Sequence, residues 1–471
     1  MPHDEDLIVV GGGAAGLTAA GMGASLGAKT LLVEPHRLGG ECTWTGCVPS
    51  KTLLAAARVA HQMRTADRFA IEPVEPRFDF ERLMEHVRAV RQRIYQQADA
   101  PERIEAYGVR YLRAQARFTD PHTVELTEAD GTQSRRSARY VVIATGSRPR
   151  TLPSAMPLLT NETLFELDRQ PRRLVVLGAG PIGIEMAQAF RRLGSEVTLV
   201  TSEQRILARD DAELAELLRE SLAAEGIVFQ FGSKAREIAE GRVMLEDGAA
   251  LECDAALTAI GRTPQLAGLG LEAAGVRYDA RGIVVDDRCR TSQKHIYASG
   301  DCAGRFQFTH FAEHMSKVAV SNAILKLPLK LDSRHITWCT YTDPELAHVG
   351  ASAAELTRAG AAFRTYRFPY AELDRAITEA STTGLIKVFA TRSGRILGAT
   401  ILGVHAGELI AEYALAMKNG LKLRHISGTI HPYPTYMLGN RRAADFWYME
   451  RRGPALVRWL KRLFGYRGVY R

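Results

Sequence analysis

The sequence predicts an α/β protein built on two βαβ units with parallel sheets, followed by a separate α+β domain. Three observations predict it. Leu7-Ile8-Val9-Val10 runs into Gly11-Gly12-Gly13-Ala14-Ala15-Gly16, a helical stretch and a second apolar strand at 30–33. Leu174-Val175-Val176-Leu177 repeats that grammar with Gly178-Ala179-Gly180-Pro181-Ile182-Gly183 and a strand at 197–200. After about residue 335 the pattern changes to alternating strands and two helices, around 408–419 and 440–452.

A chain of 471 residues is too long for one ordinary core and has room for about three domains. With 46% hydrophobic and 24% charged residues the composition is that of a globular protein, and no run of eighteen uncharged apolar residues suggests a membrane span. The start, Met1-Pro2-His3-Asp4-Glu5-Asp6, is acidic where a signal peptide is basic, so a cytoplasmic location is expected. Six cysteines do not make a disulfide scaffold in a chain this long; Cys253, Cys289, Cys302 and Cys339 are scattered and read as small buried apolar residues. Seven of the eight net positive charges fall between Arg451 and Arg471, where there is no acid. The basic balance therefore belongs to a tail and gives no argument for nucleic-acid binding.

Between the two units, 78–107 reads as one long helix, with Leu83, Val87, Val90 and Ile94 at three- and four-residue spacing. Short strands follow, ending in Tyr140-Val141-Val142-Ile143-Ala144-Thr145-Gly146, and a similar strand recurs at Ile296-Tyr297-Ala298-Ser299-Gly300-Asp301. The organisation expected is a first βαβ domain at 1–150, a second at 151–270, a return to the first at 271–335, the α+β domain at 336–450 and a basic tail at 451–471.

A G-x-G-x-x-G turn between strand and helix brings backbone N–H groups and a helix N-terminus against a pyrophosphate, where side chains would block the approach. Gly11, Gly13 and Gly16 form one such set, and Gly178, Gly180 and Gly183 the other. Both units are thus Rossmann-like dinucleotide sites. Glu34 ends the strand after the first turn, where an acid bonds adenosine ribose hydroxyls, which suits FAD. At the matching place in the second unit stand Thr201 and Ser202, with Arg205 and Arg209 after them. Lack of an acid and supply of cations favour NADPH over NADH; the alternative is that these arginines only solvate a loop.

Cys42-Thr43-Trp44-Thr45-Gly46-Cys47-Val48-Pro49-Ser50-Lys51 is the most specific segment. Two thiols five apart at a helix start can approach disulfide distance if the first turn is distorted. The helix N-terminus and Lys51, one turn beyond Cys47, favour the nucleophilic thiolate. A structural zinc site would need a second ligand pair, and no metal site is expected.

Gly39-Gly40-Glu41-Cys42 with Cys47-Val48-Pro49-Ser50-Lys51 resembles the signature of the class I pyridine nucleotide-disulfide oxidoreductases, the family of glutathione reductase, dihydrolipoamide dehydrogenase and mercuric reductase. Ala144-Thr145-Gly146, Ala259-Ile260-Gly261-Arg262 and Ser299-Gly300-Asp301 resemble further family motifs in family order, to about residue 450. The resemblance implies FAD and a nicotinamide nucleotide, with Gly40, Thr145, Gly146 and Gly261 in the cofactor sites. It implies Asp301 on the flavin's ribityl chain, Cys47 facing the flavin, Cys42 exchanging with substrate, and Glu185 paired with Lys51. It also implies that the C-terminal domain forms a homodimer, in which one subunit completes the other's site.

Three departures bear on the substrate. Glutathione and lipoamide enzymes carry His-Pro-Thr-x-x-Glu as an acid–base dyad, whereas this chain has Tyr433-Pro434-Thr435-Tyr436-Met437-Leu438, with His431 two residues early. Pro432-Tyr433 is similar to mercuric reductase, but the C-terminal cysteine pair of that enzyme has no counterpart after Cys339, and its N-terminal metal-binding extension is not expected either. Pro181 stands where several members have a tyrosine lid over the flavin. His310 resembles a flavin-contacting position and is as readily a structural histidine; Tyr341-Thr342-Asp343-Pro344-Glu345 resembles a dimer-domain motif.

The function expected is NAD(P)H-dependent reduction of a disulfide, a thiophilic metal ion or a small electrophile through Cys42, Cys47, Lys51, Glu185 and Tyr433. The rivals are a dihydrolipoamide dehydrogenase working toward NAD⁺, a quinone or oxygen reductase whose cysteines are a switch, and a non-catalytic redox-dependent binding module. In the tail, Pro454 is expected to start a helix with Leu456, Val457, Leu460, Leu463 and Phe464 on one face, Trp459 beside it and Arg458, Lys461 and Arg462 opposite. Such a helix either lies on an anionic membrane, giving peripheral contact through 453–466, or packs against protein.

Overall fold

The computed structural model describes residues 3–304, 306–451 and 453–468. It divides into two units: Met1–Ala60 with Pro76–Ser202 and Gly232–Leu331, and His61–Glu75 with Glu203–Phe231 and Asp332–Arg471.

In the first unit, the strand Glu5–Val10 lies between Thr30–Val33 and Gln133–Ile143, all parallel. Arg110–Leu112 extends this layer beyond Thr30–Val33, and Ile296–Ala298 pairs with the far side of Gln133–Ile143. Leu7, Ile8, Leu32, Val33, Val141 and Val142 are buried, which is why these strands read as unbroken apolar runs: a parallel sheet covered on both faces has no polar side. The N-terminal half of the long strand Gln133–Ile143 leaves this layer and pairs antiparallel with Thr123–Glu128, which pairs with Ala114–Phe118. A second parallel layer sets Arg173–Leu177 between Glu196–Val200 and Ala255–Thr258. Strands Ser147–Pro149 and Arg262–Pro264 pair antiparallel in the same unit.

The long helix expected over 78–107 is broken. Helix Phe80–Ile94 passes into a single π turn, Tyr95–Asp99, and a new helix, Pro101–Ala106, begins at Pro101. Proline has no N–H for the ladder and its ring clashes with the preceding turn, so apolar periodicity cannot carry the helix through it.

In the second unit, five antiparallel strands run in the order Thr337–Thr340, Glu345–Gly350, Ile396–Gly403, Leu385–Ala390, Arg364–Pro369. Helices Ala406–Lys418 and Leu438–Arg451 match the two expected there and bury Leu409, Tyr413, Ala443 and Trp447 in that unit's core. Helix Pro454–Phe464 forms with proline in its first turn and ends on Gly465 at φ 69°. Leu456, Trp459, Leu463 and Phe464 on it are exposed. Arg452 and Arg471, two of the seven tail cations, lie outside the described residues.

Candidate active site

Both glycine turns show why glycine is required. A Cβ on Gly11 would stand 2.3 Å from the Ala144 carbonyl oxygen, and one on Gly16 would stand 1.7 Å from that of Gly11. In the second turn the matching approaches are 2.4 Å from Ala259 for Gly178 and 2.1 Å from Gly178 for Gly183. Gly13 and Gly180 cap helices Ala14–Ser25 and Pro181–Arg192 with no side chain on the free N–H groups. Those donors and the helix dipole fit a pyrophosphate at each turn. Glu34 leans back over the first turn, accepting from the Gly12 and His36 amides at 2.8 and 2.9 Å. Gly40 packs against Gly13, where a Cβ would lie 2.5 Å from the Gly13 Cα. Thr145 donates to the Gln265 carbonyl at 2.8 Å, and Gly146 and Gly261 adopt φ 71° and 111° where the chain leaves one layer for the next.

After the second turn Thr201 is buried and Ser202 exposed. Within the other unit, Arg205 donates to the carbonyls of Leu207, Ala208 and Asp210. Its guanidinium closes its own loop, a commitment the sequence did not reveal.

The two cysteines sit at a helix junction. Cys42 lies in the short helix Gly40–Trp44, and Cys47 opens the helix Cys47–Arg64. The neighbouring Cys42 thiol pushes Cys47 down to about 6 against the opposing effect of burial; Thr309 and Lys51 lower it further. The same interaction, with burial, drives Cys42 far above the ordinary thiol range. Cys47 is thus the thiolate of the pair and Cys42 the thiol. Lys51 Nζ lies 2.8 Å from Glu185 Oε2, and Glu185 is buried, so the pairing implied by the resemblance is present. Thr309, first residue of helix Thr309–Ile324, stands 3.5 Å from Cys47 Sγ. An open pocket of ≈ 500 Å³ is lined by Cys47, Val48, Lys51, Thr52, Ala55 and Ile94.

Beside this pair, Ser147 donates to Asp301 Oδ2 at 2.5 Å, and Arg262 Nε lies 3.7 Å from the same oxygen. Burial raises the Asp301 carboxyl above its ordinary range. Among the described residues no group of His, Cys, Asp and Glu is arranged to hold a metal ion. Cys253, Cys289 and Cys302 are buried, while Cys339 is half-buried against the core of the second unit.

These features recur in known proteins. Residues 5–316 match the family model for pyridine nucleotide-disulphide oxidoreductase, and 336–441 match that family's dimerisation domain. The chain belongs to the pyridine nucleotide-disulphide oxidoreductases. It is 37% identical to a dihydrolipoyl dehydrogenase of Thermus scotoductus over 93% of this chain and 96% of that one. It is 33% identical to a mercuric reductase of Lysinibacillus sphaericus over 94% of this chain and 84% of that one. Among solved structures it is similar to LpdA from Mycobacterium tuberculosis, with TM-score 0.88, 30% identity and coverage of 94% and 99%. A Cu(II) complex of the HOCl-induced flavoprotein disulfide reductase RclA from Escherichia coli aligns with TM-score 0.84, 25% identity and coverage of 95% and 100%. As a member of this oxidoreductase family the chain is an FAD-dependent enzyme that uses NAD(P)H and carries the dimerisation domain of its relatives.

In the second unit the oxidoreductase departs from the His–Glu dyad. Tyr433 is 70% exposed and its hydroxyl donates to Asp374 Oδ2 at 3.0 Å. His431 is buried, with its ring nitrogens 2.9 Å from Glu412 Oε1 and 3.0 Å from the Thr429 carbonyl oxygen. Leu438, at the position of the family glutamate, belongs to the core of this unit. Among the described residues no helix is long and apolar enough to cross a membrane.

Proposed function

We propose that this oxidoreductase passes electrons from a nicotinamide nucleotide, NADPH in preference to NADH, through Cys42 and Cys47 to a thiophilic metal ion or small electrophile. The observation that carries the reading is the Tyr433–Asp374 hydrogen bond together with the inward-facing His431. A disulfide substrate needs a proton donor for its leaving thiolate. Tyr433 directs its hydroxyl proton to Asp374, so the pair offers oxygen acceptors and the carboxylate's negative charge, which suit a cation. In trans, across the family's dimer, Tyr433 would meet the partner's dithiol. The relative named as a mercuric reductase and the copper complex of RclA support the same substrate class.

Bound FAD supplies hydride acceptance, and Gly11, Gly13, Gly16, Glu34, Gly40, Thr145, Gly146 and Asp301 are the residues we assign to hold it. Gly178, Gly180, Gly183, Ser202 and Gly261 are assigned to the nicotinamide nucleotide. Lys51, held by Glu185, sets positive charge beside Cys47. In turnover the dithiol gives up two electrons and re-forms its S–S bond, the Cys42 proton leaving to solvent; two Cu(II) ions would each gain one electron. NADPH oxidation by the purified dimer with Cu(II), Hg(II), lipoamide, glutathione disulfide and quinones tests this. Metal-dependent turnover lost in Cys42→Ala is expected. Lipoamide turnover at dehydrogenase rates overturns the metal-ion assignment, and quinone turnover unchanged in Cys42→Ala favours the flavin-only rival.

We also infer a peripheral contact of 453–466 with an anionic bilayer. Exposed Leu456, Trp459, Leu463 and Phe464 share one side of helix Pro454–Phe464, with Arg458, Lys461 and Arg462 on the other. A basic amphipathic helix bordered by an aromatic residue suits a headgroup layer. The lack of any acid after Glu450 favours anionic lipid over a second copy of the same tail.

A further inference from the structure

Glu41 separates Gly40 from Cys42. Its Oε1 accepts from Asn161 Nδ2 at 3.1 Å, and its Oε2 is paired with the Arg262 guanidinium. Asn161 also donates to the Thr45 carbonyl at 3.3 Å, so Glu41 and Thr45, which flank the turn between the two cysteines, are held by one buried amide. Arg262 donates from Nε to Ser147 Oγ at 2.8 Å and stands 3.7 Å from Asp301 Oδ2. One guanidinium therefore serves two carboxylates, Glu41 and Asp301, beside a thiol pair that acquires a negative charge when reduced.

Burial is the largest influence on Glu41 and, against the Arg262 guanidinium that favours the ionised form, holds its carboxyl at about 7; the charges of Asp301, Cys47 and Glu162 act in the same direction as burial. Only one of these four neighbours, Arg262, is a cation. Adding a thiolate to such a cluster raises its negative charge by one, and a buried cluster of like charges resists that by taking up a proton.

We propose that Glu41 is the redox-linked proton acceptor of this oxidoreductase, a positioning residue that protonates as the Cys42–Cys47 disulfide is reduced and so neutralises the charge of the Cys47 thiolate. The proposal rests on Cys42 and Cys47 being the redox pair. The step balances: a hydride equivalent brings two electrons and one proton, the S–S bond breaks, that proton is balanced at Cys42, Cys47 stays a thiolate, and one solvent proton goes to the Glu41 carboxylate. The electrons come from the nicotinamide nucleotide.

Proton uptake on two-electron reduction of the FAD-loaded enzyme tests this. It is followed anaerobically with a pH indicator in weakly buffered solution around pH 7, where Cys47 itself stays ionised. The wild type is expected to take up a substantial fraction of a proton more than the Cys42→Ala, Cys47→Ala double variant reduced at the flavin alone, and the excess should fade as the pH rises above the Glu41 value of about 7. Glu41→Gln should lose a large part of the excess above that reference, and Glu41→Asp should retain it. The long-wavelength thiolate–flavin band recorded in the same samples separates the two claims. If the wild type shows no band, the dithiol assignment fails; if it shows the band and Glu41→Gln takes up as many protons as the wild type, the Glu41 proposal is overturned. Should Glu41→Gln not hold flavin, infrared difference spectra of reduced minus oxidised wild type decide. A new protonated-carboxyl band is expected on reduction, and its absence overturns the proposal.

Discussion

Cys42 and Cys47 shift one another in opposite directions, Cys47 downward and Cys42 upward, and that interaction makes the two cysteines chemically unequal. The pair then holds a thiolate at Cys47 above about pH 6 and loses it as the pH falls through that value. The long-wavelength band of the reduced enzyme should therefore fade on acidification with an apparent pKa near that value, by spectrophotometric titration. A band constant down to about pH 4.5, well below that value, would show that Cys47 does not titrate as this interaction requires.

Lys51 contributes to that depression through its charge. Lys51→Met should move the titration upward, toward the ordinary thiol range, and leave Glu185 buried without the cation 2.8 Å from it. A lower melting temperature and slower flavin reduction by NADPH should accompany the shift. Titration unchanged in Lys51→Met would remove the lysine from the electrostatics of the site.

How much of this was legible in the sequence follows from how local each feature is. Glycine turns, the Lys51 position and the cysteine pair are fixed by neighbours a few residues away, so spacing revealed them. The Glu41–Arg262 pair joins residues 221 apart, and Asn161 reaches Glu41 from 120 residues away. Neither could be read without the sheets that bring those loops together. Thr309 stood in a segment singled out for its histidine; nothing local showed that the threonine, not His310, would lie against Cys47. Pro101 stands in the sequence as a helix breaker, but the apolar spacing of Leu83, Val87, Val90 and Ile94 carries no sign of where the helix ends. His431 could not be settled from spacing because its partner, Glu412, sits on a helix whose face only the packed core determines.

Loss of the His–Glu dyad predicts poor turnover with lipoamide and glutathione disulfide. Tyr433→Phe should lower metal-ion turnover about tenfold or more, the order expected when one positioned polar contact is removed. Restoring the dyad with Tyr433→His and Leu438→Glu together should fail, because Leu438 lies in the core and a carboxylate there would be buried without a partner. Steady-state rates and expression of the two variants check both statements.

Stability of the second unit depends on a buried ion pair. Lys387 Nζ lies 2.7 Å from both Asp211 carboxylate oxygens, and Asp211 Oδ1 also accepts from the Leu214 amide at the start of helix Ala212–Ala224. Asp211→Ala removes the cap and leaves the buried ammonium to Glu213 Oε2 at 3.1 Å, so the loss should fall short of the roughly 3–5 kcal/mol of a fully stranded charge. Lys387→Met combined with Asp211→Asn should recover a good part of it, because the amide keeps the cap and no charge is left alone. Denaturant midpoints of the single and double variants measure the difference.

Vesicle co-sedimentation tests the tail. Full-length enzyme should partition onto anionic vesicles at low salt and less at high salt, while Leu456→Glu with Leu463→Glu should stay in solution with its catalytic rates unchanged. Equal partitioning of the two proteins would remove the bilayer contact. A change in oligomeric state on size exclusion, without vesicle binding, would assign the face to protein.

Anaerobic titration with NADPH tests the central claim most directly, because it counts electrons. A wild-type enzyme whose dithiol accepts electrons should consume about two equivalents, one for the disulfide and one for the flavin, with the long-wavelength band rising during the first. The Cys42→Ala, Cys47→Ala double variant should consume about one and show no band. A wild type that consumes only one equivalent and bleaches its flavin without the band would contradict the account, leaving the cysteines outside the path of the electrons.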